Sequence, residues 1–215
     1  MNNDKFSGGK EQYIMFDLKE LAPDIWYWDN AISYPNELVS FIEALDKNYK
    51  SHKAISMWEK WTASNDDNII YGFTKIASKQ ESGDENTDQR TLYIYNTLEM
   101  AFGMCYERYM DSHRINKSDY RLELSRIPIK KWQVGASMGS HADGYDGDKN
   151  LSFSLVCYLN DDYKGGEIVF PNHNITVKPK AGSLIMFPSQ EPFVHRVNPV
   201  LSGERYMSTV SAWKI

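Results

Sequence analysis

The sequence predicts a mainly β, α+β fold in which helices pack outside a barrel or jelly-roll core. Two observations carry this. The first half holds two segments with apolar residues at helical spacing, and from Tyr120 onward short apolar runs are separated by turn signals. The 215 residues suffice for one sizeable core. The expected organisation is an N-terminal extension over 1–23 and a single domain over 24–215, with helical support in 24–119 and the β core in 120–215.

Met1 to Glu11 is polar and reads as a frayed tail. A short strand is expected around Ile25 and Tyr27. Near Pro35 a helix begins, with Leu38, Phe41, Ile42 and Leu45 on one face and proline suiting its first turn. The stretch Ser78 to Gln89 is polar and acidic and reads as a loop or, at lower weight, a lid. A second helix carries Leu92, Tyr95, Leu98, Phe102, Cys105 and Tyr109 to about His113. In "LSFSLVCYLN", Leu151, Phe153, Leu155 and Cys157 share one strand face, while Ser152, Ser154, Val156 and Tyr158 share the other. "DDYKGGEIVF" reads as a turn into a strand, with Gly165-Gly166 as a hairpin turn rather than a phosphate loop. "ITVKPKAGSLIMF" reads as two strands joined at Lys180-Ala181-Gly182. The final stretch reads as two long strands around a turn at Asn198 to Gly203.

Composition narrows the function classes. The net charge of -5 argues against nucleic acid as the main partner. Hydrophobic content of 41% and charged content of 25% are ordinary for a globular domain. No window reaches the apolar length of a membrane span, and the N-terminus lacks the apolar core of a signal peptide, so a cytoplasmic, soluble protein is expected. Two cysteines, Cys105 and Cys157, form neither a disulfide framework nor a zinc pattern.

Chemistry concentrates in two of the five histidines. His141 and Asp143 stand at i and i+2, so on an extended backbone both side chains project to one side and reach one metal ion. His195, far downstream at the start of an expected strand, supplies a second imidazole. Two neutral nitrogens and one carboxylate form the ligand set of non-haem iron(II) oxygenases and leave positions open for cosubstrate and dioxygen. Arg205 follows across the turn centred near Val200, where an antiparallel hairpin would set it roughly opposite His195. A guanidinium there suits the far carboxylate of a 2-oxo dicarboxylic acid. The bland readings compete with these: "GSHADGYDGD" alone is a surface turn, His173 a solvated loop residue, and His52 and His113 ordinary surface or helix-end residues. Trp26, Tyr27 and Trp28 are weighted toward packing over a substrate platform.

The segment Trp132 to Trp213 resembles the prolyl-4-hydroxylase-like branch of the Fe(II)/2-oxoglutarate-dependent oxygenases, through "HAD", "CYLND", "GGEIVFP", "KPKAGSLIMF" and "HRVNPVLSGERY". The resemblance implies a double-stranded β-helix of the jelly-roll or cupin kind enclosing the metal. It implies iron(II) on His141, Asp143 and His195, and Arg205 on 2-oxoglutarate. Tyr158, Ser154, Thr209 and Trp132 are implied as further cosubstrate contacts. Dioxygen is the other cosubstrate and ascorbate an accessory reductant. Two departures stand out: Met138 replaces a tyrosine common in relatives, and Ser211 stands where relatives often carry tryptophan, which opens the substrate-side wall. The implied activity is hydroxylation of an unactivated carbon, first of a prolyl residue in a protein or peptide. The alternatives are a free amino acid or small metabolite as substrate, or a non-catalytic metal-binding interaction module.

Overall fold

The computed structural model describes residues 18–53, 58–61, 70–73, 85–144 and 149–215. Strand β1 (Leu18–Ala22) pairs antiparallel with β2 (Ile25–Trp28). Helix α1 spans Pro35–Lys53 and α2 spans Glu85–Ser112, with β3 (Glu59–Trp61) and β4 (Ile70–Phe73) between them. The strands that follow are β5 (Tyr120–Leu122), β6 (Ile129–Trp132), β7 (Met138–His141), β8 (Leu151–Tyr158), β9 (Lys164–Gly165) and β10 (Ile168–Phe170). The chain ends with β11 (Ile175–Val177), β12 (Leu184–Pro188), β13 (His195–Val197), β14 (Val200–Ser202) and β15 (Arg205–Lys214).

Among the described residues these strands form three separate sheets. A nine-stranded sheet runs β1-β2-β12-β8-β15-β6-β4-β3, with β5 also on β15; a four-stranded sheet runs β11-β10-β13-β7; β14 pairs β9 alone. The expectation of a double-stranded β-helix closed as a barrel is therefore corrected to a mixed α/β fold of separate sheets. Closure needs the edge strands β7 and β11 to join the large sheet, and neither does. Left-handed backbone at Gly165, Gly166 and Gly203 turns the chain from one sheet to another, without a continuous hydrogen-bond ladder.

Apolar burial falls on both faces of the large sheet. On its outward face, Leu155, Cys157, Leu184, Met186 and Val210 pack with Leu38, Ile42 and Leu45 of α1 and Leu98, Phe102 and Cys105 of α2. On its inward face, Tyr27, Trp132, Val156, Tyr158, Ile185 and Phe187 pack with Ile168, Phe170 and Val197 of the four-stranded sheet. The alternation expected in β8 is the alternation observed. The β2 aromatics divide in the same way: Trp26 and Trp28 face the helices, and Tyr27 faces the small sheet.

Two local expectations change. Residues 85–89 belong to α2 rather than to the acidic loop. The remainder of that loop, and the N-terminal tail, lie outside the described residues. The last stretch is not a hairpin: β13 belongs to the four-stranded sheet, β14 pairs β9, and β15 lies in the large sheet. Both cysteines are free and buried.

Candidate metal centre and anion pocket

The three candidate metal ligands come from the four-stranded sheet and the turn that follows β7. His141 ends β7, and His195 begins β13 directly opposite it in register. Their rings are 4.4 Å apart, centroid to centroid. Asp143 lies just beyond β7 and reaches both imidazoles: Oδ1 is 3.3 Å from His141 Nε2, and Oδ2 is 3.8 Å from His195 Nε2. The three side chains each offer one ligand atom, all within 4.8 Å of one another.

Backbone carbonyls set the ring orientations. His141 Nδ1 donates to the Gly139 carbonyl at 2.8 Å, and His195 Nδ1 donates to that of Phe193 at 3.2 Å. A carbonyl only accepts, so each Nδ1 carries a proton; in the neutral ring each Nε2 then presents its lone pair to the centre, whereas protonated His141 donates from Nε2 to Asp143. Phe170 and Phe187 flank the His195 ring at 5.5 and 4.8 Å. Ser154 shares a 2.7 Å hydrogen bond with Ser189, a partner the sequence did not single out.

The charges are coupled. Burial would push the Asp143 carboxyl up, but the His141 hydrogen bond, the His195 charge and the Ser154 hydroxyl hold it down at about 2. His141 is raised above 6.5, first by its hydrogen bond to Asp143, whereas burial lowers His195. Two imidazoles and an ionised carboxylate suit a divalent first-row metal and leave coordination positions open.

Arg205 lies deeper in the same cavity, which measures about 230 Å³ and is also lined by Trp132, Tyr158, Ser154, Thr209, Met138 and Ser211. Its guanidinium carbon sits 4.7 Å from the Trp132 ring centroid and 5.1 Å from that of Tyr158. Gly166 has a positive φ, and a Cβ there would come within 3.1 Å of Arg205 Cδ, so a side chain at 166 would crowd the guanidinium stem. The residue is 1% exposed, its Nη1 lies 3.0 Å from the Met207 sulfur, and its Nε has no hydrogen-bond partner. No carboxylate among the described residues lies within ion-pair distance of it. The Tyr158 hydroxyl and the Trp132 indole N–H are likewise buried without partners. A buried cation ringed by unused donors costs several kcal/mol unless a ligand supplies an anion. A carboxylate answers that need, so the pocket fits a keto acid that chelates the metal at one end and meets Arg205 at the other.

Every site residue expected from sequence therefore converges on one cavity, but not by the expected route. Arg205 pairs with Trp132 in register, not with His195, and the two approach across the gap between sheets. Sequence reasoning passed over Lys130, which also lines the cavity. Its signal was available, since Lys130 stands two residues before Trp132 on β6 and shares its face. His113 and His173 lie outside the cavity lining. His113 pairs with Asp24 at 3.2 Å; His173 is half-buried and stacks on Phe193, rather than being solvated; the side chain of His52 lies outside the described residues.

Comparison with known proteins agrees with this chemistry. Residues 124–213 match the family described as the 2OG-Fe(II) oxygenase superfamily. A PKHD-type hydroxylase of Prochlorococcus marinus is 40% identical over 79 residues, which is 34% of this chain and 35% of the relative. Another, of Rippkaea orientalis, is 39% identical over 90 residues, 38% and 40% of the two chains. The matched stretch thus spans well under half the length of these curated relatives. In fold, the chain is similar to the viral collagen prolyl hydroxylase of Paramecium Bursaria Chlorella virus-1, solved with 2OG (TM-score 0.58, 18% identity, covering 89% of this chain and 96% of that one). It is also similar to a prolyl hydroxylase of Trichoplax adhaerens in complex with a hypoxia inducible factor peptide fragment (TM-score 0.60, 16% identity, 89% and 84%).

Proposed function

We propose that this protein, whose residues 124–213 belong to the 2OG-Fe(II) oxygenase superfamily, is an Fe(II)- and 2-oxoglutarate-dependent dioxygenase. Its proposed reaction hydroxylates an unactivated carbon of a prolyl residue in a protein or peptide. One observation carries the reading: a two-histidine, one-carboxylate cluster and a buried guanidinium with no carboxylate partner share a single cavity. The non-catalytic alternative loses ground here, because an interaction module gains nothing from a deep unpaired cation. The likeness to prolyl hydroxylases, one of them bound to a peptide, supports the substrate class.

In this reading His141, Asp143 and His195 hold iron(II), with the Nε2 lone pairs aimed inward by the Nδ1 hydrogen bonds. Arg205 and Tyr158 bind the far carboxylate of 2-oxoglutarate, while Trp132 flanks the guanidinium and orients it. Thr209 and Ser154 line the path between that anchor and the metal. When bound, iron(II) would supply the redox chemistry that divides dioxygen between two substrates: one oxygen atom goes to 2-oxoglutarate as it splits into succinate and carbon dioxide, and the other converts R–H to R–OH. The protein's own contribution is to place the cosubstrate and to keep the cavity walled by Val156, Ile168 and Val197.

No helix among the described residues is long and apolar enough to cross a membrane. The test is mass spectrometry of proline-rich peptides incubated with iron(II), 2-oxoglutarate and ascorbate. A gain of one oxygen atom that disappears in Asp143→Ala supports the reading. Peptides left unchanged, with no succinate released, overturn it.

A further inference from the structure

The members of the metal cluster are held by different means. His141 and His195 stand opposite each other on paired strands, and a backbone carbonyl fixes each ring. Asp143 lies beyond β7, in a turn outside the strand ladder. Staggered rotamers leave such a side chain several directions, yet its carboxylate faces both imidazoles. Its hold comes from the large sheet.

Ser189 supplies that hold. It follows Pro188, the last residue of β12, which pairs with Phe153 of β8. The residue is fully buried. Its N–H donates to the Ser152 carbonyl at 2.9 Å and so anchors it to β8. Its carbonyl accepts the N–H of Gly144, one residue beyond Asp143, at 2.9 Å. Its hydroxyl is 2.7 Å from that of Ser154, and the Ser154 hydroxyl in turn bonds the Asp143 carboxylate. Proton directions follow from the chemistry. An ionised carboxylate only accepts, so Ser154 donates to Asp143; having one proton, Ser154 then accepts from Ser189.

The residues after Ser189 extend the same clasp. A Cβ at Gly144 would lie 2.0 Å from Gln190 Nε2, so a side chain there would displace the Gln190 amide. That amide nitrogen donates to the Leu151 carbonyl at 2.8 Å, at the start of β8. The Gln190 carbonyl accepts the Phe193 N–H at 2.9 Å, and the Phe193 carbonyl accepts from His195 Nδ1. One short segment therefore touches the supports of both Asp143 and His195.

We propose that Ser189 is a positioning residue for the metal centre: its carbonyl fixes the turn that carries Asp143, and its hydroxyl, through Ser154, fixes the orientation of the carboxylate toward the metal. The inference rests on the oxygenase reading above and adds to it a residue outside the cavity lining. The two-serine relay also ties the metal ligands to the sheet that carries Arg205.

Manganese(II) titration of the full chain without 2-oxoglutarate, followed by calorimetry and electron paramagnetic resonance, tests this without turnover. Ser189→Ala and Ser154→Ala should each weaken manganese(II) binding about tenfold, as loss of a group that orients a metal ligand does. Both should alter the zero-field splitting of the bound ion, which reports its ligand geometry, in the same way. The double variant should bind no more weakly than Ser154→Ala alone, because the two hydroxyls act in series. Thermal unfolding of the metal-free variants establishes that they are folded; if Ser189→Ala is not, Ser189→Cys, whose thiol is a weak donor, takes its place under the same criteria. The proposal is overturned if the folded variant binds manganese(II) as wild type does, if the resonance signal is unchanged, or if the two losses add in the double variant. Wild type that binds no manganese(II) defeats the oxygenase reading and this inference with it, a result distinct from tight binding that the variants retain.

Discussion

Strands β8 and β15 each carry two chemistries, and the contrast between their faces organises the molecule. Outward, Leu155, Cys157, Val210 and Ala212 meet the helices and are almost wholly apolar and buried. Inward, Val156 and Met207 alternate with Ser154, Tyr158, Arg205, Thr209 and Ser211, and the Tyr158 hydroxyl and Arg205 Nε have no hydrogen-bond partner among the described residues. The outward face supplies burial free energy. The inward face holds the groups proposed to meet ligands, at a cost the outward packing offsets. Stability and chemistry are thus separated by a single residue step along the same strand.

The largest expected effect lies inward. His195→Ala should remove metal binding at micromolar concentration and bring succinate release to background, while leaving thermal unfolding nearly unchanged; anaerobic iron(II) titration with calorimetry checks both. Next, Arg205→Ala should weaken 2-oxoglutarate binding by about 100-fold, since hydrogen bonds to a charged group contribute about 1.5–3 kcal/mol each. Metal affinity should change far less, and equal loss of both would break the assignment. Outward, Phe102→Ala should cost about 3–5 kcal/mol of stability and leave succinate release per folded molecule unchanged, as denaturant titration with activity assay would show.

A smaller effect concerns pH. The His141 pKa is raised by Asp143, so its protonated form is favoured in the metal-free protein below 6.5, and that advantage fades as pH rises through the raised value. Metal must displace this proton, so affinity should fall as pH drops into that range; His195, held low by burial, should protonate only at more acidic pH. Manganese(II) titrations between pH 6 and 8 check the slope. Smallest of all, Ser154→Ala removes a buried hydrogen bond with Ser189 and should cost about 1 kcal/mol.

Much of this was legible beforehand where the argument was local. The i, i+2 pair His141 and Asp143, the two-residue alternation of β8 and the helical stripe of Leu98, Phe102 and Cys105 depend only on backbone periodicity. Lys130 obeys the same periodicity as Trp132, yet its charge reads as surface until the cavity is seen. Leu92 sits on the expected stripe of α2 but is 39% exposed, whereas Ile94 is fully buried, because the position of α1 decides which side of a long helix is covered.

The sequence by itself determined most strands, the helices and the side chains proposed to hold metal and anion, because each follows from local spacing and chemical type. Tertiary structure alone decided which strands pair. It put His195 and Arg205 on different sheets, left those sheets unclosed and turned Lys130 into the cavity. Those outcomes depend on hydrogen bonds between distant segments and on which face of each strand finds apolar cover, and neither is encoded at any single position.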